Sequence, residues 1–134
     1  MTDFVHLHNH TDYSLLDAAQ TVEQMCNRVY DLGMNSIAVT DHGNLFAMIP
    51  FYKQAQAKGI KPILGCEFYV CEDHLNKSFK DYGYQIVLLA KNKNGYQNLA
   101  KLSSLAYTKG FYYVPRIDKY LVFSENLSCF LAES

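Results

Sequence analysis

Four segments of the chain have apolar residues at the spacing of an α-helix: 22–32, roughly 45–58, from Asn94 to Gly110, and 117–123. Thr21 and Gln24 form a capping-box pattern before the first segment, and Gly33 follows it where a C-terminal glycine belongs. Pro50 has no backbone N–H, so the second helix must begin late enough for Pro50 to fall in its first turn.

Five shorter segments have the apolar pattern of strands: 3–8, 36–40, 61–70, 85–90 and 127–132. Strands that alternate with helices imply helical crossovers and parallel pairing. The polar segment 72–83 reads as a loop, and we expect its His74 at the surface. The pattern therefore predicts one α/β domain over residues 1–134 with a mostly parallel sheet.

The composition agrees with a globular domain and offers little for binding nucleic acid by charge. Of 134 residues, 49% are apolar and 19% charged, and the net charge is −1 with no basic run. The N-terminus lacks the pattern of a signal peptide, and no apolar run approaches the ~18 residues of a membrane span. We therefore expect a cytoplasmic chain without membrane contact, whose four cysteines are free thiols.

Residues with metal-binding chemistry follow the predicted strands. His8 and His10 end the first strand in the run FVHLHNHTDYSLLD. Asp41 and His42 follow the second strand, and Glu67 lies late in the third. Because the carboxyl ends of parallel strands form one edge of a sheet, these side chains are expected to meet there.

Mixed imidazole and carboxylate ligands suit Zn, Mn or Fe better than Ca, which prefers oxygen. His8 and His10 point the same way on a strand and can share an ion, and Asp17 and Glu67 can offset its charge. Each motif alone also has a structural reading, as a histidine-rich surface strand, a turn or a buried carboxylate. Their joint position at strand ends favours a divalent metal site that activates water.

Five stretches of the chain resemble the PHP (polymerase and histidinol phosphatase) domain of bacterial DNA polymerase III alpha subunits: HLHNHTDYSLLD (6–17), LGMNSIAVTDHGNLF (32–46), FYKQAQAKGIKPILGCEFYV (51–70), LLAKNKNGYQNLAKLSSLAYTKGFYYVPRID (88–118) and LSCFLAES (127–134). The first three mark the superfamily, and the fourth resembles the polymerase branch. The resemblance implies a distorted (β/α)7 TIM-like barrel. Because such barrels need ~250 residues, the chain is expected to hold the N-terminal half.

The resemblance also implies a set of five metal ligands: His8, His10, Asp17, His42 and Glu67. His6 and Asp41 would support this set from behind, with Asp41 orienting the imidazole of His42. The complete family site holds up to three divalent ions, and fewer are expected here.

Two positions depart from the family pattern, and both weaken the expected site. Gln85 stands where a ligand histidine is usual, and an amide is a poor ligand for a transition metal. Cys129 comes one residue early for the usual cysteine, so Phe130 occupies that position. The family's final Asp-x-His ligand pair would fall beyond Ser134.

Three functions follow from the resemblance and stay open at this point. The chain can be part of a replicative DNA polymerase with a phosphoesterase or 3′–5′ exonuclease-type site. It can instead be a non-catalytic scaffold for the polymerase, which Gln85 favours. The stretch 91–118 disfavours the third, a stand-alone phosphatase such as histidinol phosphatase. The expected partners are DNA and other replicase subunits, including a proofreading exonuclease and a sliding clamp.

Overall fold

A computed structural model describes residues 4–124 and the backbone of residues 130–133. The elements in that part of the chain are α1 (Val22–Asp31), β1 (Ser36–Val39), α2 (Met48–Ala57), β2 (Lys61–Cys71), β3 (Tyr84–Ala90), α3 (Lys93–Thr108), β4 (Arg116–Asp118), α4 (Lys119–Ser124) and β5 (Phe130–Glu133). None of the described helices is long and apolar enough to cross a membrane.

The sheet is organised around β2, its longest strand. β1 runs parallel to the first part of β2, and β4 runs parallel to its last three residues. β3 pairs antiparallel with β2, and β5 pairs antiparallel with β3. Four of the five described strands therefore point the same way, which confirms the predicted α/β class and mostly parallel sheet. β3 is reversed because loop 72–83 contains no helix that could carry the chain back across the sheet.

Local capping signals set the ends of two helices. The Thr21 hydroxyl accepts from the Gln24 backbone N–H at 3.2 Å, and the Gln24 side chain accepts from the Thr21 N–H at 3.0 Å, which confirms the capping box. α3 begins after Asn92, whose side chain accepts from the Gly95 N–H at 2.9 Å. The helical segment predicted from Asn94 therefore begins one residue earlier, at Lys93, because Asn92 is the N-cap.

The predicted first strand is not formed as a regular strand. The Ala38 N–H donates to the His6 carbonyl, but the Thr40 N–H donates to Asn9 where a regular parallel ladder requires residue 8. The Asn9 side chain fills the gap by donating to the carbonyls of His6 and Ala38. The segment thus stays extended beside β1, with its register shifted by one residue.

The last predicted strand is observed in part. Its backbone forms β5, which begins at Phe130 opposite Ala90. Cys129 lies outside the described residues, as does the side chain of Phe130, so the predicted change of ligand at these two positions stays a prediction.

The four helices contribute to two apolar clusters on one face of the sheet. Side chains alternate along β2, so Cys66 and Phe68 join the helices while Glu67 faces the other way. In the described part of the chain, the opposite face carries only a small apolar cluster: Ala38, Val87 and Leu89, with Leu7 and Ile63 against them. Glu67 is therefore buried on the face that the described helices leave uncovered.

Candidate metal centre

Two histidines of the N-terminal segment meet a buried carboxylate of β2. The Nε2 atoms of His8 and His10 lie 2.8 Å and 2.5 Å from the same oxygen, Oε2 of Glu67. The two histidines are two residues apart on an extended segment and project to the same side. Because Glu67 is only 3% exposed, these imidazoles replace water as its hydrogen-bond partners.

His42 is positioned by the pairing of β1 with β2, which continues past the end of β1. The Glu67 N–H donates to the Asp41 carbonyl at 3.0 Å, and the Gly43 N–H donates to the Glu67 carbonyl at 2.8 Å. His42 thus lies directly across from Glu67 in a parallel bridge. Gly43 has a φ of +65°, a left-handed conformation that lets the chain turn away immediately after His42.

The imidazole of His42 lies between two carboxylates. Its Nδ1 is 3.6 Å from Oε2 of Glu67, and its Nε2 is 3.5 Å from Oδ2 of Asp17. Among the described residues, this Nδ1 is buried without a hydrogen-bond partner. Buried polar atoms are normally satisfied, so an orphaned ring nitrogen that faces a carboxylate fits a ligand to a metal ion.

The electrostatics of the cluster keep Glu67 ionised. Burial raises the pKa of the Glu67 carboxyl, but the hydrogen bonds from His8 and His10, with His42 nearby, outweigh it and hold that pKa below its ordinary value. Glu67 is therefore a carboxylate at neutral pH, the form that binds a cation.

The donor set fits a transition metal. The five predicted ligands offer three imidazoles and two carboxylates, a mixture that suits Zn, Mn or Fe. Ligand atoms of His8, His10 and Glu67 all lie within 4.8 Å of one another, close enough to share one ion. The Asp17 side chain is 59% exposed and lies on the solvent side of His42.

Asp41 holds a loop rather than the imidazole of His42. Its buried carboxylate accepts from the Thr11 N–H at 2.6 Å, the Thr11 hydroxyl at 2.7 Å and the Ser14 hydroxyl at 2.8 Å. The Ser14 oxygen accepts in turn from the His42 backbone N–H. The expected bond from Asp41 to the ring is absent from the described contacts, since Thr11 and Ser14 occupy the carboxylate. Asp41 instead fixes the loop that ends at Asp17.

Two other predicted positions take no part in the hydrogen bonds around Glu67. His6 is exposed, and its ring packs edge-on against Phe4 at 4.7 Å, so the expected support from behind the ligands is not seen. Gln85 is exposed on β3, opposite Tyr69 and on the same face as Glu67. The structure thus separates these two residues from the cluster of three histidines.

A second group of potential ligands, which the sequence did not reveal, joins loop 72–83 to β4. Nδ1 of His74 is 2.5 Å from Oδ2 of Asp118, so His74 is half-buried rather than at the surface as expected. Asp118 also accepts from the backbone of His74 and caps α4 through the Leu121 N–H. The adjacent Arg116 guanidinium donates to the His74 carbonyl, and its positive charge disfavours a cation here. These contacts give the group a structural role, in which His74 and Asp118 hold loop 72–83 against β4.

The hydrogen bond between His74 and Asp118 predicts that the free energy of unfolding depends on pH. Burial raises the pKa of Asp118, but hydrogen bonds from His74 and Leu121 outweigh it and lower that pKa. The stabilisation is therefore present above the ordinary value of about 4 and is lost as pH falls through the lower folded value. We expect Asp118→Asn to lower the free energy of unfolding at pH 7 by about 1–2 kcal/mol.

Urea denaturation at pH 7 and pH 3 measures this effect, with the exposed Asp31→Asn as control. The difference between Asp118→Asn and the unmodified chain should be smaller at pH 3 than at pH 7, because pH 3 lies below the ordinary pKa of an aspartate, so the unfolded chain has taken up the proton that the folded chain resists. A difference that is equal at both pH values would contradict the assignment.

Comparison with known proteins identifies the family to which this chain belongs. The family model described as the PHP domain matches residues 6–133. The chain therefore belongs to the PHP domain family. A solved amidohydrolase from Chromobacterium violaceum is similar in fold, with a TM-score of 0.52 and 21% identity, over 75% of this chain and 34% of that one.

Sequence relatives point to one branch of the family. The DNA polymerase III subunit alpha of Helicobacter pylori is 50% identical over 120 residues, which cover 89% of this chain and 10% of that protein. The DNA polymerase III subunit alpha of Borreliella burgdorferi is 49% identical over 132 residues, which cover 94% and 12% respectively. The chain thus spans about a tenth of the length of these curated relatives.

Proposed function

We propose that this chain is the N-terminal half of the PHP barrel of a replicative DNA polymerase, the DNA polymerase III alpha subunit. The proposed site binds one or two divalent ions and acts on phosphodiesters, as a 3′–5′ exonuclease-type centre with weakened activity. The observation that carries this proposal is the convergence of three imidazoles on Oε2 of Glu67, where no described residue forms a hydrogen bond with the Nδ1 of His42.

Each ligand has a separate part in this proposal. An ion at the buried side of the site would be held by His8, His10 and Glu67. His42, which lies between Glu67 and the exposed Asp17, would be a further ligand together with Asp17. A bound Zn, Mn or Fe ion would lower the pKa of a water molecule and offset phosphate charge. The His8 side chain is 48% exposed, so a phosphodiester can approach from that side.

We also propose that the chain is part of a distorted (β/α)7 barrel, because the remaining ligands of the site would come from other strands of such a barrel. The described helices pack on one face of the sheet, whereas Glu67 and a small apolar cluster lie on the other. This arrangement matches one wall of a barrel, whose strands turn their inner side chains toward a shared centre. Further strands of a longer protein would then supply the remaining ligands.

A second function, a scaffold without hydrolysis, is favoured by Gln85. It occupies the position of an expected ligand histidine, yet it is exposed and takes no part in the cluster around Glu67. In that case the PHP portion stabilises the polymerase and contacts a proofreading exonuclease. DNA, the proofreading exonuclease and the sliding clamp are proposed partners of the whole polymerase.

These proposals can be tested by measuring metal content and hydrolysis in variants of two histidines from the same segment. We expect the Mn-loaded chain to release nucleotides from the 3′ end of a labelled oligonucleotide, and His8→Ala to reduce both bound Mn and release by tenfold or more. The exposed His6→Ala is the matched control and should change neither.

The outcomes separate three cases. A chain that holds no Zn, Mn or Fe above background contradicts the metal site itself. Bound metal with equal release by His8→Ala and the unmodified chain contradicts catalysis at this site. Bound metal without any release supports the scaffold.

A further inference from the structure

An exposed aromatic surface adjoins the candidate metal centre. The rings of Tyr13 and Phe46 lie in contact, with centroids 6.4 Å apart and planes at 56° to each other. Tyr13 is 43% exposed and Phe46 is 67% exposed, so both residues are accessible from solvent. These two residues form what we name the aromatic shelf.

The shelf is tied to the metal centre by Asn44, which is itself buried. The Asn44 amide donates to the carbonyl of Tyr13 at 3.2 Å and to the carbonyl of His42 at 3.1 Å. Its side-chain oxygen accepts from the Phe46 N–H at 3.2 Å. One side chain therefore fixes the backbone of both shelf residues relative to a predicted ligand.

The loop between the shelf and Asp17 has further features of a binding edge. Leu15 and Leu16 are almost fully exposed, although leucine side chains gain stability by burial. Leu16 has a φ of +70°, a conformation that is strained for a residue other than glycine. Strained backbone and exposed apolar side chains beside a predicted ligand are features of sites that contact substrate.

We propose that the aromatic shelf stacks the base of the 3′-terminal nucleotide while the adjacent phosphodiester lies at the metal centre. This inference rests on the proposed function and adds a subsite to it. Planar ring faces bind bases of any sequence, which suits an enzyme that removes nucleotides from varied ends. The shelf also supplies affinity that the chain does not obtain from charge, since its net charge is −1.

A pair of oligonucleotides isolates the contribution of the terminal base. One is a fluorescein-labelled tetrathymidylate with a hydrolysis-resistant phosphorothioate at its last linkage, and the other is identical except that its 3′ residue lacks the base. Charge and length are the same in both. We expect the Mn-loaded chain to bind the abasic strand about tenfold more weakly in fluorescence anisotropy, within the range of base–aromatic stacking.

Protein variants assign this difference to the shelf. Phe46→Ala and Tyr13→Ala should bind the complete strand about as weakly as the abasic one, with Mn affinity unchanged. Tyr30→Ala is the matched control, because Tyr30 is 61% exposed on α1 and contacts Lys58. It should keep the full tenfold difference.

The result also distinguishes failure of the inference from failure of the proposed function. Equal binding of the two strands contradicts a base-binding role for the shelf, and so does a tenfold difference that survives in both shelf variants. Either result would favour a contact with another protein as the role of these two residues. A Mn-loaded chain that binds neither strand contradicts the proposed action on phosphodiesters, and the shelf proposal falls with it.

Discussion

We expect the Arg116→Ala substitution to lower the free energy of unfolding by about 3–4 kcal/mol. Arg116 is fully buried, and its guanidinium donates to four backbone carbonyls: those of His74, Asn76, Asp81 and Gly110. Three of these carbonyls belong to loop 72–83, so one side chain holds that loop against β4. Truncation would leave the carbonyls without donors and open a cavity. Urea denaturation followed by circular dichroism measures the loss.

Two further variants show whether the carbonyl contacts cause the effect. Arg28 is the only other arginine and is exposed on α1, so Arg28→Ala should change stability by no more than about 0.5 kcal/mol. Arg116→Lys keeps the charge but offers one nitrogen in place of a planar fork, and we expect an intermediate loss. A midpoint for Arg116→Ala equal to that of Arg28→Ala would contradict the stabilising role of this network.

Local structure that depends on residues close together in the chain could be predicted from the sequence. The capping box at Thr21 and Gln24 and the apolar run of β1 depend on neighbours in the chain, and both are observed. The strand predicted near His6 failed because the Asn9 side chain donates to the His6 carbonyl of its own segment and to the Ala38 carbonyl of β1. An alternating pattern does not reveal such a competition, since the spacing of apolar residues is unchanged by it.

Contacts between distant residues could not be predicted. Arg116 and His74 are 42 positions apart. The hydrogen-bond partners of Arg116 are backbone carbonyls, which every residue has, so the types of residue in the sequence do not reveal them. The half-burial of His74 has the same origin, because it depends on the position of Asp118 in the folded chain.

The candidate site was predictable where strand geometry determines it. The parallel pairing of β1 with β2 continues past the end of β1 and brings His42 opposite Glu67, which lies inside β2 rather than at its end. The role of Asp41 was not predictable, because it depends on Thr11 and Ser14, whose hydroxyls are indistinguishable from those of ordinary loop residues. The side chains predicted to bind a metal are thus easier to recognise than those that hold them in place.

We expect Glu67→Gln to abolish most of the stabilisation that Mn gives this chain. Glu67 is the carboxylate on which His8 and His10 converge, so its removal takes away both a predicted ligand and the negative charge that would attract the cation. At Mn a hundred times above its dissociation constant, the unmodified chain should gain about 2.7 kcal/mol of stability. If the variant binds a hundredfold more weakly, its gain at the same concentration falls to about 0.4 kcal/mol by the same relation.

The metal-free chains provide the second half of this prediction. Without Mn, Glu67→Gln should lose about 1–2 kcal/mol, because charge-assisted hydrogen bonds to the histidines become neutral ones. Glu72→Gln, an exposed carboxylate beyond the end of β2, is the matched control and should keep the full gain from Mn. An equal gain from Mn in Glu67→Gln and Glu72→Gln would mean that the ion binds elsewhere, and that the histidines around Glu67 form only a hydrogen-bonded cluster.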